Sequence, residues 1–98
     1  MQIVNVAKYT GDGSAHPFSA TSVSAKWVQF VVETLASISA PARTGGPLVS
    51  STLGAPLFQA GASQFYPQDT TDMFVRYDLS ELHYYLASGD TASVTYGI

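Results

Sequence analysis

The sequence contains no cysteine. A disulfide framework, a thiolate nucleophile and a cysteine-ligated metal are therefore excluded. Small secreted domains often depend on disulfides for stability. This chain must be stabilised by packing or by oligomerisation instead.

Charge is also scarce, since charged residues make up 11% of the 98 residues and the net charge is −3, whereas about 25% is usual. The basic residues are scattered along the chain: Lys8, Lys26, Arg43 and Arg76. Nucleic-acid binding needs clustered cations, so we expect no nucleic-acid partner. Little repulsion opposes association of such a surface. Either part of it is buried against other chains, or the chain is a small domain with a neutral polar surface.

Long hydrophobic runs are missing too. No segment approaches the roughly 18 apolar residues that span a bilayer. The first residues, Met1-Gln2-Ile3, do not combine a basic region with an apolar stretch, so no signal peptide is predicted. We expect no membrane partner, and synthesis in and release from a cytoplasm.

Motifs for nucleophilic or acid–base catalysis are absent from the sequence. Serines, threonines, His16 and His83 are present, but no Gly-x-Ser-x-Gly elbow places a nucleophile beside a base. The only glutamates are Glu33 and Glu81, and a domain of this size has little room for a cleft between two acids. We predict no enzymatic activity and no catalytic residue.

Metal and cofactor sites are not predicted either. Asp69 and Asp72 could reach one Ca²⁺ from a loop, but the calcium-loop pattern of acidic residues and glycine is missing. We interpret both as solvated turn residues, and His83 as a hydrogen-bonded strand or interface residue. The glycines have no phosphate-binding spacing.

Short apolar segments separated by turn residues about every 8–12 positions predict an all-β fold, a small antiparallel β-sandwich or jelly-roll-like barrel. The strongest strand covers residues 26–34, where Val28, Phe30 and Val32 alternate with a mixed face and should point to the core. Residues 1–98 are predicted to form a single β domain. Within it, residues 1–9 would be an edge strand or an arm donated to another subunit.

Further segments follow from turn chemistry and alternation. Residues 44–47 and 54–57 are predicted as breaks, and residues 48–52 as a short strand. Residues 73–96 contain two aromatic and β-branched runs around Ser88-Gly89-Asp90, which is typical of an antiparallel hairpin.

Aromatic residues are the remaining candidates for binding, because Tyr and Trp are enriched at interfaces. Tyr84 and Tyr85 are consecutive in a predicted strand, so they should point to opposite faces and at most one belongs to the core. The alternative interpretation is that alternate members of these aromatic pairs fill the core. The predicted interface residues are Trp27, Val31, Tyr84, Tyr85 and Tyr96.

The order of several motifs resembles small β-sandwich virion proteins of tailed bacteriophages, of the capsid decoration (cement) or head-fibre type. The motifs cover roughly the last 70 residues: the strand 27–32, Ala-Pro-Ala-Arg-Thr-Gly-Gly at 40–46, 49–57, Gly61, Phe-Tyr-Pro at 65–67, Tyr-Asp-Leu-Ser at 77–80, and Gly-Asp at 89–90 leading to 93–96.

The resemblance implies a structural virion protein without catalytic residues that binds the major capsid protein or another virion component, as a homo-oligomer with a trimer favoured. It also implies that Arg43 and Asp78 are structural corner residues. Asp78 can accept backbone N–H bonds, and Arg43 is a candidate partner for its carboxylate. The alternative is a carbohydrate- or receptor-binding fibre or tail domain that uses an exposed aromatic such as Trp27 or Tyr84.

Overall fold

The computed structural model describes residues 4–36, 41–66 and 76–98. These residues form ten strands: β1 (Val4–Thr10), β2 (Ala15–Pro17), β3 (Ser24–Ala25), β4 (Trp27–Thr34), β5 (Ala42–Gly45), β6 (Ala55–Leu57), β7 (Ser63–Tyr66), β8 (Tyr77–Asp78), β9 (His83–Tyr85) and β10 (Thr91–Gly97). The first sheet has the order β1-β10-β4-β7 and the second β2-β9-β5-β6, while β3 and β8 form a two-stranded ribbon. Every pair is antiparallel. The predicted all-β, sandwich-like fold is confirmed.

The core is built on the inward side of β4. Val28, Phe30 and Val32 are at most 1% exposed, as their alternation predicts. From the neighbouring β10, Ala92 and Val94 are buried beside them. This inward row is continuous across the first sheet because cross-strand neighbours share a face.

The second sheet and its connections supply the other half of the core. Tyr84 packs there with Phe18 and Phe30 at ring-centroid distances of 6.0 Å each. Tyr9, from β1 of the first sheet, stands closer still, with its ring centroid 4.3 Å from that of Tyr84. Other buried members are Ala42, Thr44, Leu57, Leu79 and Leu86. Aromatic rings therefore join the two sheets.

The predicted hairpin between β9 and β10 is wrong. β9 pairs with β2 and β5 in the second sheet, whereas β10 pairs with β1 and β4 in the first. The turn residues reverse the chain, with Gly89 at φ +94°, but β10 already has a partner on each side. The connection therefore crosses the core, and Leu86 within it is fully buried.

This crossing connection is fixed to its surroundings. Asp90 is fully buried and its Oδ1 accepts the Ala36 N–H at 2.7 Å, which attaches the connection to the end of β4. Gly11 donates its N–H to the Asp90 carbonyl at 2.8 Å. A Cβ at position 11 would overlap the carbonyl oxygen of Ala87, so glycine permits this close approach.

Three further predictions in the middle of the chain are wrong. Residues 48–52 lie in an irregular loop and not in a strand, and residues 55–57 are strand β6 and not a turn. Strand β5 continues through Thr44 to Gly45, so the predicted break starts two residues too early. Pairing of β5 with β6 and β9 decides these positions, since β preference depends on neighbouring strands more than on the residue itself.

The predicted N-terminal strand is present as β1, at one edge of the first sheet, paired along all seven residues with β10 of the same chain. Of the predicted final segment, residues 73–75 lie outside the described residues, as do Asp69 and Asp72. His83 is the first residue of β9, and its Nδ1 lies 3.1 Å from the Glu81 carbonyl oxygen. Its interpretation as a hydrogen-bonded strand residue is confirmed.

Candidate interaction surface

The side chains on the outward side of the first sheet form a surface that we name the outer face. The strand registers place Val6, Thr95, Gln29 and Phe65 in one row across the four strands, and Lys8, Ser93, Val31 and Ser63 in the next. Trp27 lies opposite Gly97 in a third row. The face carries small polar side chains around a few large apolar ones.

Two aromatic rings dominate one end of the outer face. The Trp27 and Phe65 rings stack with centroids 6.3 Å apart and planes 17° apart. Phe65 is 47% exposed and Val6, in the same row, is 63% exposed. Large apolar side chains held on a sheet and left in contact with water are typical of a protein–protein or ligand-binding surface.

Among the described residues of the outer face, the charged side chains Lys8 and Glu33 lie outside the rows of Trp27 and Phe65. Lys8 Nζ lies 3.6 Å from Glu33 Oε2, so the two formal charges are paired with each other. In the rows of Trp27 and Phe65, the described side chains are uncharged. Docking against this end would therefore require little desolvation of charge, which is the main cost of burying a polar surface.

The structure separates the five predicted interface residues. Trp27 and Val31 lie on the outer face, both partly exposed. Tyr84 is 7% exposed and belongs to the core. Tyr96 points inward and packs against the core. Tyr84 is therefore corrected to a core residue, whereas Tyr96 lies on the inward row of β10 and is partly buried against the core.

Tyr85 is on the opposite side of the molecule from the outer face. It points away from the core on the second sheet, beside Arg43 and Ala15 in the same cross-strand row, and is half-buried. The prediction that Tyr84 and Tyr85 divide between two faces is confirmed. Tyr85 remains a surface residue, but it does not join Trp27.

A second apolar surface, which the sequence did not predict, is the loop between β5 and β6, residues 46–54. Leu48 is 82% exposed and Leu53 is 58% exposed. They border a shallow pocket of about 370 Å³, which is lined by Gly45, Gly46, Pro47, Leu48, Val49, Leu53 and Gly54. The turn residues of this segment indicated a break, but not that its leucines would be exposed.

Internal hydrogen bonds hold the 46–54 loop. The Ser50 N–H donates to the Leu53 carbonyl at 2.9 Å, and Ser50 Oγ accepts the Leu53 N–H at 3.1 Å. Arg43 donates from Nε to the Ser51 carbonyl at 3.1 Å and from Nη1 to the Gly54 carbonyl at 3.0 Å. Arg43 therefore connects strand β5 to both ends of this turn. Among the described residues it forms no ion pair with Asp78, so that suggested pairing is wrong.

Asp78 ties the β8 corner to the segment before β3. Its carboxylate accepts hydrogen bonds from Ser22 Oγ at 2.7 Å, from the Ser80 N–H at 2.9 Å and from Ser80 Oγ at 2.8 Å, with a longer bond from the Val23 N–H at 3.3 Å. The Ser22 bond first, and then those from Ser80, lower the pKa of Asp78 to about 2. Donors to a carboxylate favour its charged form.

The one carboxylate–imidazole pair among the described residues is at the surface. His16 Nε2 lies 2.7 Å from Asp12 Oδ2, and both side chains are exposed. This hydrogen bond and that from the Ser14 N–H lower the pKa of Asp12. Triad chemistry would need a nucleophile hydrogen-bonded to His16. The contacts of the pair instead connect Asp12, in the loop after β1, with His16 in β2.

Within residues 4–36, 41–66 and 76–98, no group of three or more His, Cys, Asp or Glu side chains could hold a metal ion. The same residues contain no helix long and apolar enough to cross a membrane. No protein-family model, no curated protein and no solved structure matches the chain. The candidate site is therefore defined by surface chemistry alone.

Proposed function

We propose that the chain is a structural binding protein without enzymatic activity, which attaches to a larger protein assembly. The more specific form, taken from the motif resemblance, is a decoration or cement protein of a tailed-phage capsid, located in the virion. Its partner would be the major capsid protein or another virion component. It would act by adhesion, burying its surface against capsid subunits and stabilising the shell.

The observation that carries the proposal is the uncharged end of the outer face. Trp27 and Phe65 stack there, in rows whose described side chains are otherwise uncharged, while Lys8 and Glu33 lie in other rows and are paired with each other. Aromatic side chains are enriched among the residues that contribute most to protein–protein binding. The 46–54 loop, with Leu48 and Leu53 exposed, would give a second apolar contact.

Mass spectrometry of purified virions tests the location, and absence of the chain from the particles would contradict the capsid form of the proposal. Attachment can then be measured by adding the purified protein to particles that lack it. Phe65→Ser should reduce attachment at least tenfold. Ser63→Ala, on the same strand and the same face, is the matched control and should bind normally.

A carbohydrate- or receptor-binding fibre or tail domain is the second candidate, and the Trp27–Phe65 pair favours it as well. The stacked pair, with Phe65 47% exposed, offers apolar aromatic surface to a sugar ring. Binding on a glycan array that disappears in Trp27→Ala would support this function. An empty array combined with capsid attachment would favour the structural function.

A further inference from the structure

The outer edge of β1 exposes a row of backbone hydrogen-bonding groups. Lys26 donates its N–H to the Gly97 carbonyl at 2.7 Å, so Gly97 faces β4. Because groups alternate along an antiparallel strand, residues 92, 94 and 96 of β10 face β1 and bond to Tyr9, Ala7 and Asn5. The remaining β1 residues, Val4, Val6, Lys8 and Thr10, direct their N–H and C=O groups away from the sheet.

No described strand covers this side of β1, which is the terminal strand of its sheet. Proteins often protect such an edge with a lysine. Here Lys8 does not serve that purpose, because its ammonium group extends across the outer face to Glu33 on β4, at 3.6 Å. The edge is thus long, seven residues, and its one lysine is turned away from it.

We propose that the β1 edge pairs with β1 of a second copy of this chain. A two-fold axis at Ala7 would set Val6 opposite the second copy's Lys8 and Val4 opposite its Thr10. This register uses all seven residues of β1 and pairs every outward backbone group. An axis at Lys8 would set two lysines opposite each other, which is unfavourable, and an axis at Val6 would leave Thr10 without a partner within β1.

The pairing joins the first sheets of the two copies into one eight-stranded sheet. Its strand order is β7-β4-β10-β1 in one copy, followed by β1-β10-β4-β7 in the other. The same patch is used by both copies, as in most two-fold dimers. The two outer faces become continuous. This pairing does not depend on the proposed function. It can be tested with the purified protein alone, in the absence of any capsid or glycan.

The mass of the purified protein in solution is the first test. Multi-angle light scattering at high micromolar concentration should give twice the 10.4 kDa chain mass. A monomer would contradict the pairing, and so would a trimer, because a two-fold strand pair closes with two copies. Val6→Pro removes one outward N–H and should give a folded monomer, because proline is tolerated on a free edge. Val6→Thr keeps the N–H and should stay dimeric.

The register can be tested by cross-linking, since the chain has no cysteine of its own. Across the two-fold axis the two Ala7 residues form a non-hydrogen-bonded pair with Cα atoms about 4.5 Å apart, within disulfide reach. Ala7→Cys should therefore cross-link fully under mild oxidation. Asn5→Cys is the matched control on the same strand and side, with its two copies roughly 13 Å apart. Equal cross-linking of both variants, or none in Ala7→Cys, would overturn the proposed register.

Discussion

The rings of Tyr9 and Tyr84 lie 4.3 Å apart between their centroids and connect the two sheets of the sandwich. Tyr9 comes from the edge strand of the first sheet and Tyr84 from the second. Tyr9 also donates its hydroxyl to the Phe18 carbonyl at 2.7 Å. The pair thus combines aromatic packing with one internal hydrogen bond, and it ties the edge strand to the core.

Replacing the two adjacent tyrosines of β9 should have very different effects. Tyr84→Ala removes a core ring and should lower the free energy of unfolding by about 3–5 kcal/mol. Tyr85→Ala, on the outward side of the same strand, should cost less than about 1 kcal/mol. Urea denaturation measures both. Similar losses in the two variants would contradict the assignment of the faces.

Removing the Tyr9 hydroxyl tests its hydrogen bond. Tyr9→Phe keeps the ring and should lower the free energy of unfolding by about 1 kcal/mol, as for a typical internal hydrogen bond. Tyr66→Phe is a suitable comparison, because the hydroxyl of Tyr66 lies 3.4 Å from Thr44 Oγ1 and its bond is weaker. An equal or larger loss in Tyr66→Phe would argue against the importance of the Tyr9 bond.

Stability at alkaline pH should reflect the same tyrosine. Burial, and then the charges of Tyr84 and Tyr96 when ionised, raise the pKa of Tyr9 well above its ordinary value of 10.0. The unfolded chain then loses the Tyr9 proton first, so stability falls as the pH rises above about 10. Denaturation midpoints at a series of pH values should decline there, and the decline should be shallower in Tyr9→Phe.

Acid should weaken the β8 corner. The folded pKa of Asp78 is lowered to about 2, below the unfolded value of about 3.9. The stabilisation from its hydrogen bonds is therefore present above about pH 4 and is lost as the pH falls towards 2. Asp78→Asn should flatten this part of the stability–pH curve, measured by thermal unfolding. An unchanged curve in the variant would assign the acid sensitivity to other carboxylates.

Arg43 should control the order of the 46–54 loop. Its guanidinium holds the Ser51 and Gly54 carbonyls together, a two-pronged contact that lysine cannot reproduce. Arg43→Lys should increase hydrogen exchange at Leu53 and Gly54 by about tenfold, corresponding to about 1.4 kcal/mol, with little change in β4. Arg76→Lys is a control, since Arg76 binds Ser24 instead. Equal exchange in wild type and Arg43→Lys would refute this role.

The direction in which side chains point along single strands could be predicted from the sequence, because burial of one side of a strand imposes a period of two. Val28, Phe30 and Val32 follow that period and fill the core, and the adjacent Tyr84 and Tyr85 had to face opposite ways. The predictions failed where partner choice mattered. Residues 55–57 contain Pro56, and the sequence predicts a turn there. They form strand β6 because they pair with β5.

The sequence by itself determined the fold class, the inward row of β4 and the lack of cysteine chemistry, because these follow from composition and from alternation along a single strand. Only the tertiary structure decided that β9 and β10 lie in different sheets, that Tyr84 is buried in the core with Tyr96 packed against it, and that Trp27 stacks on Phe65. The physical reason is that turn residues specify where the chain reverses. Which strand it then pairs with depends on the non-local packing of two sheets around one core.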